Sequence, residues 1–212
     1  MFLYVIIYEI SFIWRFLLLD KLKKQLDFLI KIDEAKEIFR HTKLFSGKRK
    51  ENDAEHSWHI ALMALILEEH ANENDLNMLK VIKMLLIHDL VEIYSGDYIV
   101  FTENTLEKEN KEKMGALEIF GILPEGQREE YLGLWFEFED RNTKEAKYAR
   151  ALDRLEPIMQ NYYNNGGTWV EFKISSKRIF EKSSIIADGS EKLWKLVQSM
   201  VMELVEKGII EE

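Results

Sequence analysis

From Asp20 onwards, apolar residues return every three to four positions along most of the chain, the period of helices that bury one face. The spacing predicts about seven helices. The first runs from about Asp20 to His41, and the second from about Asp53 to Asn72, with Asn52 or Asp53 as its N-cap. A third spans about Leu76 to Tyr94, where Ser95-Gly96 supplies a stop. Two more occupy Glu103 to Phe120 and Pro124 to Glu139. The sixth begins after Asn142 or Thr143 and lasts to Asn164, where Asn165-Gly166-Gly167 breaks it. Short helical pieces fill Thr168 to Ser184, and a last helix covers Glu191 to Lys207 after the Asp188-Gly189-Ser190 turn.

The expected fold is therefore all-α, and composition agrees. Only 10 glycines and 2 prolines supply turns, too few for many short strands, while 47% of the 212 residues are hydrophobic, enough for one sizeable core. No linker or repeat divides the chain, so residues 20–212 are read as a single domain. Residues 1–19 stand apart as a hydrophobic N-terminal extension. Glu9 and Arg15 inside it are costly in a bilayer, at about 2.5 to 3.5 kcal/mol each, which argues against a membrane span. No basic leader or small-residue cleavage pattern marks a secretory signal, and the cytoplasm is the expected location.

Charge narrows the partners. The 38 acidic residues exceed the 29 basic ones, for a net charge of -9, so a nucleic acid polymer is not an expected ligand, although a small phosphate ester is. The absence of cysteine excludes disulfides, zinc ribbons and thiol catalysis, and leaves any metal to His, Asp and Glu.

Candidate chemistry lies where polar residues interrupt apolar stripes. In the third helix Val81, Leu85, His88 and Glu92 share one face, with Ile82, Leu86 and Leu90 beside it, so His88-Asp89 breaks a buried surface. Alone, that dipeptide reads as a core histidine beside a surface aspartate. Two further features change the reading: His56 stands near the start of the second helix, and Asp153 lies within the run Ala149, Leu152, Leu155, Met159. Two imidazoles and two carboxylates from three helices suit a divalent cation such as manganese, cobalt, magnesium, zinc or iron. Pro157 sharpens the point, because a helix-internal proline removes the hydrogen bond to the residue four before it, which is Asp153. His59, one turn after His56, could join in principle, but packing on the helix flank is the simpler reading.

The segments R-K-E-N-D-A-E-H (Arg49 to His56), I-H-D-L-V-E-I-Y-S-G-D (Ile87 to Asp97) and L-D-R-L around Asp153, in that order, resemble the HD-domain phosphohydrolases, and in particular their small 5'-deoxynucleotidases. The resemblance covers about Lys21 to Lys207. It implies a helical HD-domain bundle with a divalent metal on His56, His88, Asp89 and Asp153. By the same resemblance Glu92 acts on the attacking water, Arg40 orients the substrate phosphate, and Asp97 lies near the sugar and helps to exclude a 2'-hydroxyl. The chain departs from the pattern where His41, not tryptophan, follows Arg40, and where Tyr98-Ile99-Val100 replaces a polar, proline-containing run. These positions, His41 and Tyr98 among them, shape the sugar and base pocket. The implied reaction is hydrolysis of a deoxyribonucleoside 5'-monophosphate. Other phosphate esters, or a non-catalytic ligand-binding module, remain as rival readings, and a homodimer is expected only by analogy.

Overall fold

The computed structural model describes residues 18–97 and 106–212. Tyr98 and the extension up to residue 17 lie outside the described residues, and with them the expectations placed there. Helix α1 is described from residue 18 to 31 and passes into a 3-10 turn, Ile32–Glu37. There the structure departs from the expected first helix, which was to continue to His41. The chain becomes extended at Ile38 and forms strand β1, Phe39–Lys43, which pairs antiparallel with β2, Lys50–Asn52. Ile38 and Phe39 continue the helical spacing of apolar residues, but the strand gains backbone partners that no local pattern reveals. Phe39 faces Asn52, Lys43 faces Lys50, and the Asn164 side chain donates to the Leu44 carbonyl (3.0 Å) and that of Gln160 (2.8 Å), tying the hairpin to a distant helix.

Helix α2, Asp53–Ile66, begins as expected. Asn52 caps it by accepting from the Glu55 N–H, while the Glu55 side chain accepts from the Asn52 N–H. It stops earlier than expected and passes into a short 3-10 turn, Glu68–His70. Helix α3, Met78–Ile87, is capped by Asn77. The backbone then tightens into a 3-10 turn over His88–Val91 and returns to α4, Glu92–Ser95, which ends at Gly96 with φ of 76°. The stop at Ser95-Gly96 is thus where expected, but the His88-Asp89 pair sits in a 3-10 turn. Such tightening within a helical run recurs at functional positions.

Helices α5, Leu106–Gly121, and α6, Glu125–Asp140, precede the long α7, Lys144–Tyr163, whose N-cap Thr143 accepts from the Ala146 N–H. Arg141 supplies the left-handed residue at the end of α6. Beyond the Asn165-Gly166 break come α8 (Gly167–Glu171), α9 (Ser176–Ser183), α10 (Ile186–Gly189) and α11 (Glu191–Glu206), the last capped by Ser190. Helix α7 is the axis of the molecule, packed by α2, α3, α6, α10 and α11. Ala146, Ala149, Ala151 and Leu152 on it are fully out of water and let its neighbours approach closely. A Cβ on Gly189 of α10 would stand 2.4 Å from the Lys147 carbonyl oxygen. Among the described residues no helix is long and apolar enough to cross a membrane.

Candidate metal centre

The close packing of α2, α3 and α7 brings His56, His88 and Asp153 together in the interior, at 0%, 3% and 6% exposure. His56 Nε2 lies 3.3 Å from Asp153 Oδ1, and His88 Nε2 lies 3.4 Å from the same oxygen. Asp89 completes the group, with Oδ1 3.1 Å from His88 Nε2 and Oδ2 4.0 Å from His56 Nε2. All four residues expected at the centre therefore meet. Pro157 stands within α7, and its missing N–H leaves the Asp153 carbonyl without the usual helical donor.

These ligand-type atoms are held from behind. His88 sets Nδ1 3.0 Å from the Leu85 carbonyl, and the Trp135 indole donates to the His88 carbonyl at 3.1 Å. Phe138, fully buried, packs its ring 4.9 Å from that of His88. Asp153 Oδ2 accepts from Arg150 Nη1 (3.2 Å), whose Nη2 donates to Glu139 (2.7 Å). His56 turns Nδ1 toward Glu156 Oε2 (3.3 Å) and Glu51 Oε2 (3.5 Å). Arg40 Nη1 donates to Asp89 Oδ2 (2.6 Å) and stands 3.5 Å from Asp53 Oδ1.

Charge and burial compete here, and the partners decide each outcome. Burial disfavours a charged His56, and Arg40 adds to that, yet Asp153, Glu156 and Glu51 hold its pKa well above 6.5. Burial also opposes charge on His88, but Asp89 and Asp153 raise its pKa to about 9. The same contacts act in reverse on the acids: burial would raise Asp89 and Asp153, and the imidazoles hold both below the usual carboxylate range. Glu92 moves the other way, pushed well above 4.5 by burial and by the charges of Asp89 and Asp53. Asp53 is raised to about 7 by burial and by Asp89, against the pull of Arg40.

A metal ion fits this arrangement on two grounds. His88 Nε2 is buried with no hydrogen bond, and two carboxylates face the same space. The donor set, imidazole nitrogen with carboxylate oxygen, also suits a hard or borderline divalent cation. A second group, Asp53, Asp89 and Glu92, adjoins the first.

Of the residues expected around the centre, Arg40 reaches it from β1, and Glu92 lies one turn beyond His88. Asp97, just past Gly96, is near enough for its charge to act on Arg40, Asp53 and Glu92. His41 packs its ring 6.2 Å from that of Phe172. His59 stays outside the cluster, its Nδ1 3.5 Å from Glu156 Oε1. Glu51, Arg150 and Glu156 are functional neighbours that no motif in the sequence singles out, and Asp53, a candidate cap by sequence, stands beside Arg40 at the centre. Helical spacing could have found three of them, since Asp53 precedes His56 by three residues and Arg150 and Glu156 flank Asp153 by three on either side.

The HD domain family matches residues 32–194. A crystal structure of a predicted metal-dependent phosphohydrolase from Magnetospirillum magnetotacticum superposes with a TM-score of 0.87 at 41% identity, covering 91% of this chain and 97% of that one. The 5'-deoxynucleotidase HDDC2 of Danio rerio is 31% identical over 146 residues, 66% of this chain and 70% of the relative. That of Mus musculus is 29% identical over 191 residues, 86% of this chain and 94% of the relative. With the HD domain family matched over residues 32–194, most of its length, the chain belongs to that family.

Proposed function

We propose that the protein hydrolyses a phosphate monoester with the help of a divalent cation, and that its substrate is a deoxyribonucleoside 5'-monophosphate. The observation that carries this reading is the meeting of His56, His88, Asp89 and Asp153 in one buried space, with Arg40 and Glu92 at its edge. The names of the similar proteins support the reaction class and the substrate.

His56, His88, Asp89 and Asp153 would hold the cation, with manganese, cobalt, magnesium, zinc and iron all compatible with the donors. When bound, such an ion supplies a Lewis acid for a phosphoryl oxygen and a more acidic water. Arg40 meets Asp89 and Asp53 through Nη1 and, as a planar guanidinium, carries further N–H groups with which to grip nonbridging phosphate oxygens. Glu92, a carboxylate one turn beyond His88, orients the attacking water and takes its proton. Asp97 screens the sugar against a 2'-hydroxyl. Charge on the transferring group spreads over its oxygens, so positioned cations suffice and no covalent nucleophile is needed.

The test combines elemental analysis of the purified protein with phosphate release from deoxy and ribo 5'-monophosphates, a nucleoside triphosphate and a cyclic nucleotide, with manganese or cobalt added. Release from the deoxy monophosphates is expected, together with its loss on chelation and in Asp89→Ala. Full activity of a metal-free Asp89→Ala protein would refute the metal centre, and turnover confined to another ester would refute the substrate.

A further inference from the structure

The two imidazoles of the centre are backed by different chemistry. His88 faces a neutral acceptor three residues before it, the Leu85 carbonyl, whereas His56 faces two carboxylates from other elements. Glu156 comes from α7, three residues beyond Asp153, and Glu51 from β2. Both are out of water, at 0% and 1% exposure. A structural tie between α7 and the hairpin would need one such acid, not two converging on a single ring nitrogen. Burial without enough donors disfavours a carboxylate, and Glu51 Oε2 has no hydrogen-bond donor. Glu156 is instead well fixed. Its Oε1 accepts from Gln160 Nε2 (2.5 Å) and lies 3.5 Å from His59 Nδ1, which leaves Oε2 to face His56.

We infer that Glu156 and Glu51 are positioning residues that hold His56 with its proton on Nδ1, so that Nε2 presents its lone pair beside Asp153 and binds a cation more strongly. The inference rests on the metal-centre reading above. An imidazole whose N–H points at a carboxylate has a fixed tautomer and ring plane and a more basic opposite nitrogen. Glu156 sets the direction, and Glu51 adds negative potential that a divalent cation on the far side of the ring offsets. The β1–β2 hairpin thereby serves the centre twice, delivering Arg40 to Asp89 on one strand and Glu51 to His56 on the other.

The test uses zinc, which is diamagnetic and allows imidazole NMR on the loaded full-length protein. Zinc affinity is measured by chelator competition for the wild type, E156Q and E51Q, and long-range 1H–15N spectra report the His56 tautomer. The expected result is a wild-type His56 with its proton on Nδ1, a zinc Kd raised about 10- to 100-fold in E156Q with a smaller rise in E51Q, and a mixed His56 tautomer in E156Q. Glu156→Asp, which restores a carboxylate, should recover part of the loss. Unchanged zinc affinity and unchanged His56 shifts in both glutamine variants would overturn the inference while leaving the centre intact. A wild-type protein that fails to bind zinc, or an Asp89→Ala protein that keeps it as tightly, would overturn the centre as well. Should E156Q not fold, E51Q decides alone: weakened zinc binding supports the inference and unchanged binding refutes it.

Discussion

Binding of a cation should release protons, because the imidazoles that would hold it are basic in this environment. His88 has a pKa of about 9, burial notwithstanding, since Asp89 and Asp153 favour its charged form. A pH of 7 lies about two units below that value, so stripping the proton costs about 3 kcal/mol, roughly 100-fold in apparent affinity. At pH 6 the cost rises to about 4 kcal/mol. His56, also held well above 6.5, adds to the same side. While both rings are protonated, the apparent affinity should gain up to about 100-fold per pH unit. The stability of the cation-free fold runs the opposite way. A histidine with a raised pKa contributes fully below its unfolded value of 6.5 and loses that contribution as pH rises through about 9. Asp89 and Asp153, held low, contribute above 3.8 and lose it only as pH falls below that. The assay is isothermal titration of manganese into chelator-stripped protein at pH 6, 7 and 8, in buffers of different ionisation enthalpy. Binding at pH 7 should release protons, His88 supplying one, and affinity should climb from pH 6. An affinity flat across that range, with no buffer-dependent heat, would mean that the imidazoles are not ligands.

Glu92→Gln should keep its metal and its helical spectrum while kcat falls by about 10²- to 10⁴-fold; loss of metal in that variant would move Glu92 into the ligand set. Arg40→Ala removes the partner of Asp89 and a phosphate grip together, and should lower kcat/KM by about 10- to 100-fold, chiefly through KM; an unchanged KM would exclude Arg40 from phosphate binding. In Gly189→Ala the new Cβ would meet the Lys147 carbonyl oxygen at 2.4 Å and the Ala151 Cβ at 2.8 Å. Such overpacking costs about 1 to 3 kcal/mol, or roughly 2 to 12 °C in Tm, and a calorimetric Tm equal to wild type would show that α10 can shift away from α7 at no cost.

How much of this was legible in the sequence depends on how far apart the deciding contacts lie. Caps act within a turn, so Asn52, Thr143 and Ser190 open their helices where the sequence places them, and Gly96 closes α4. The grouping of His56, His88, Asp89 and Asp153 was also legible, because His88-Asp89 and Asp153 interrupt helical apolar stripes, where a polar group needs a partner across the core, and because the motifs that contain all four resemble those of the HD-domain phosphohydrolases. The hairpin was not. Its ladder pairs Phe39 with Asn52 and Lys43 with Lys50, and the Asn164 anchor comes from 120 residues further along the chain, while Ile38 and Phe39 still obey the helical spacing. That difference has consequences for the site, since Arg40 on a strand reaches Asp89 while His41 turns to Phe172, whereas on a helix both would lie on adjoining faces. Glu156 marks the other boundary. By periodicity it shares the inner side of α7 with Leu152 and Leu155, and at 0% exposure it is a charge where the pattern calls for a hydrophobe. Periodicity can show that such a residue is out of place. Only the approach of α2 to α7, together with the strand register that delivers Glu51, shows that the same ring nitrogen of His56 answers both carboxylates.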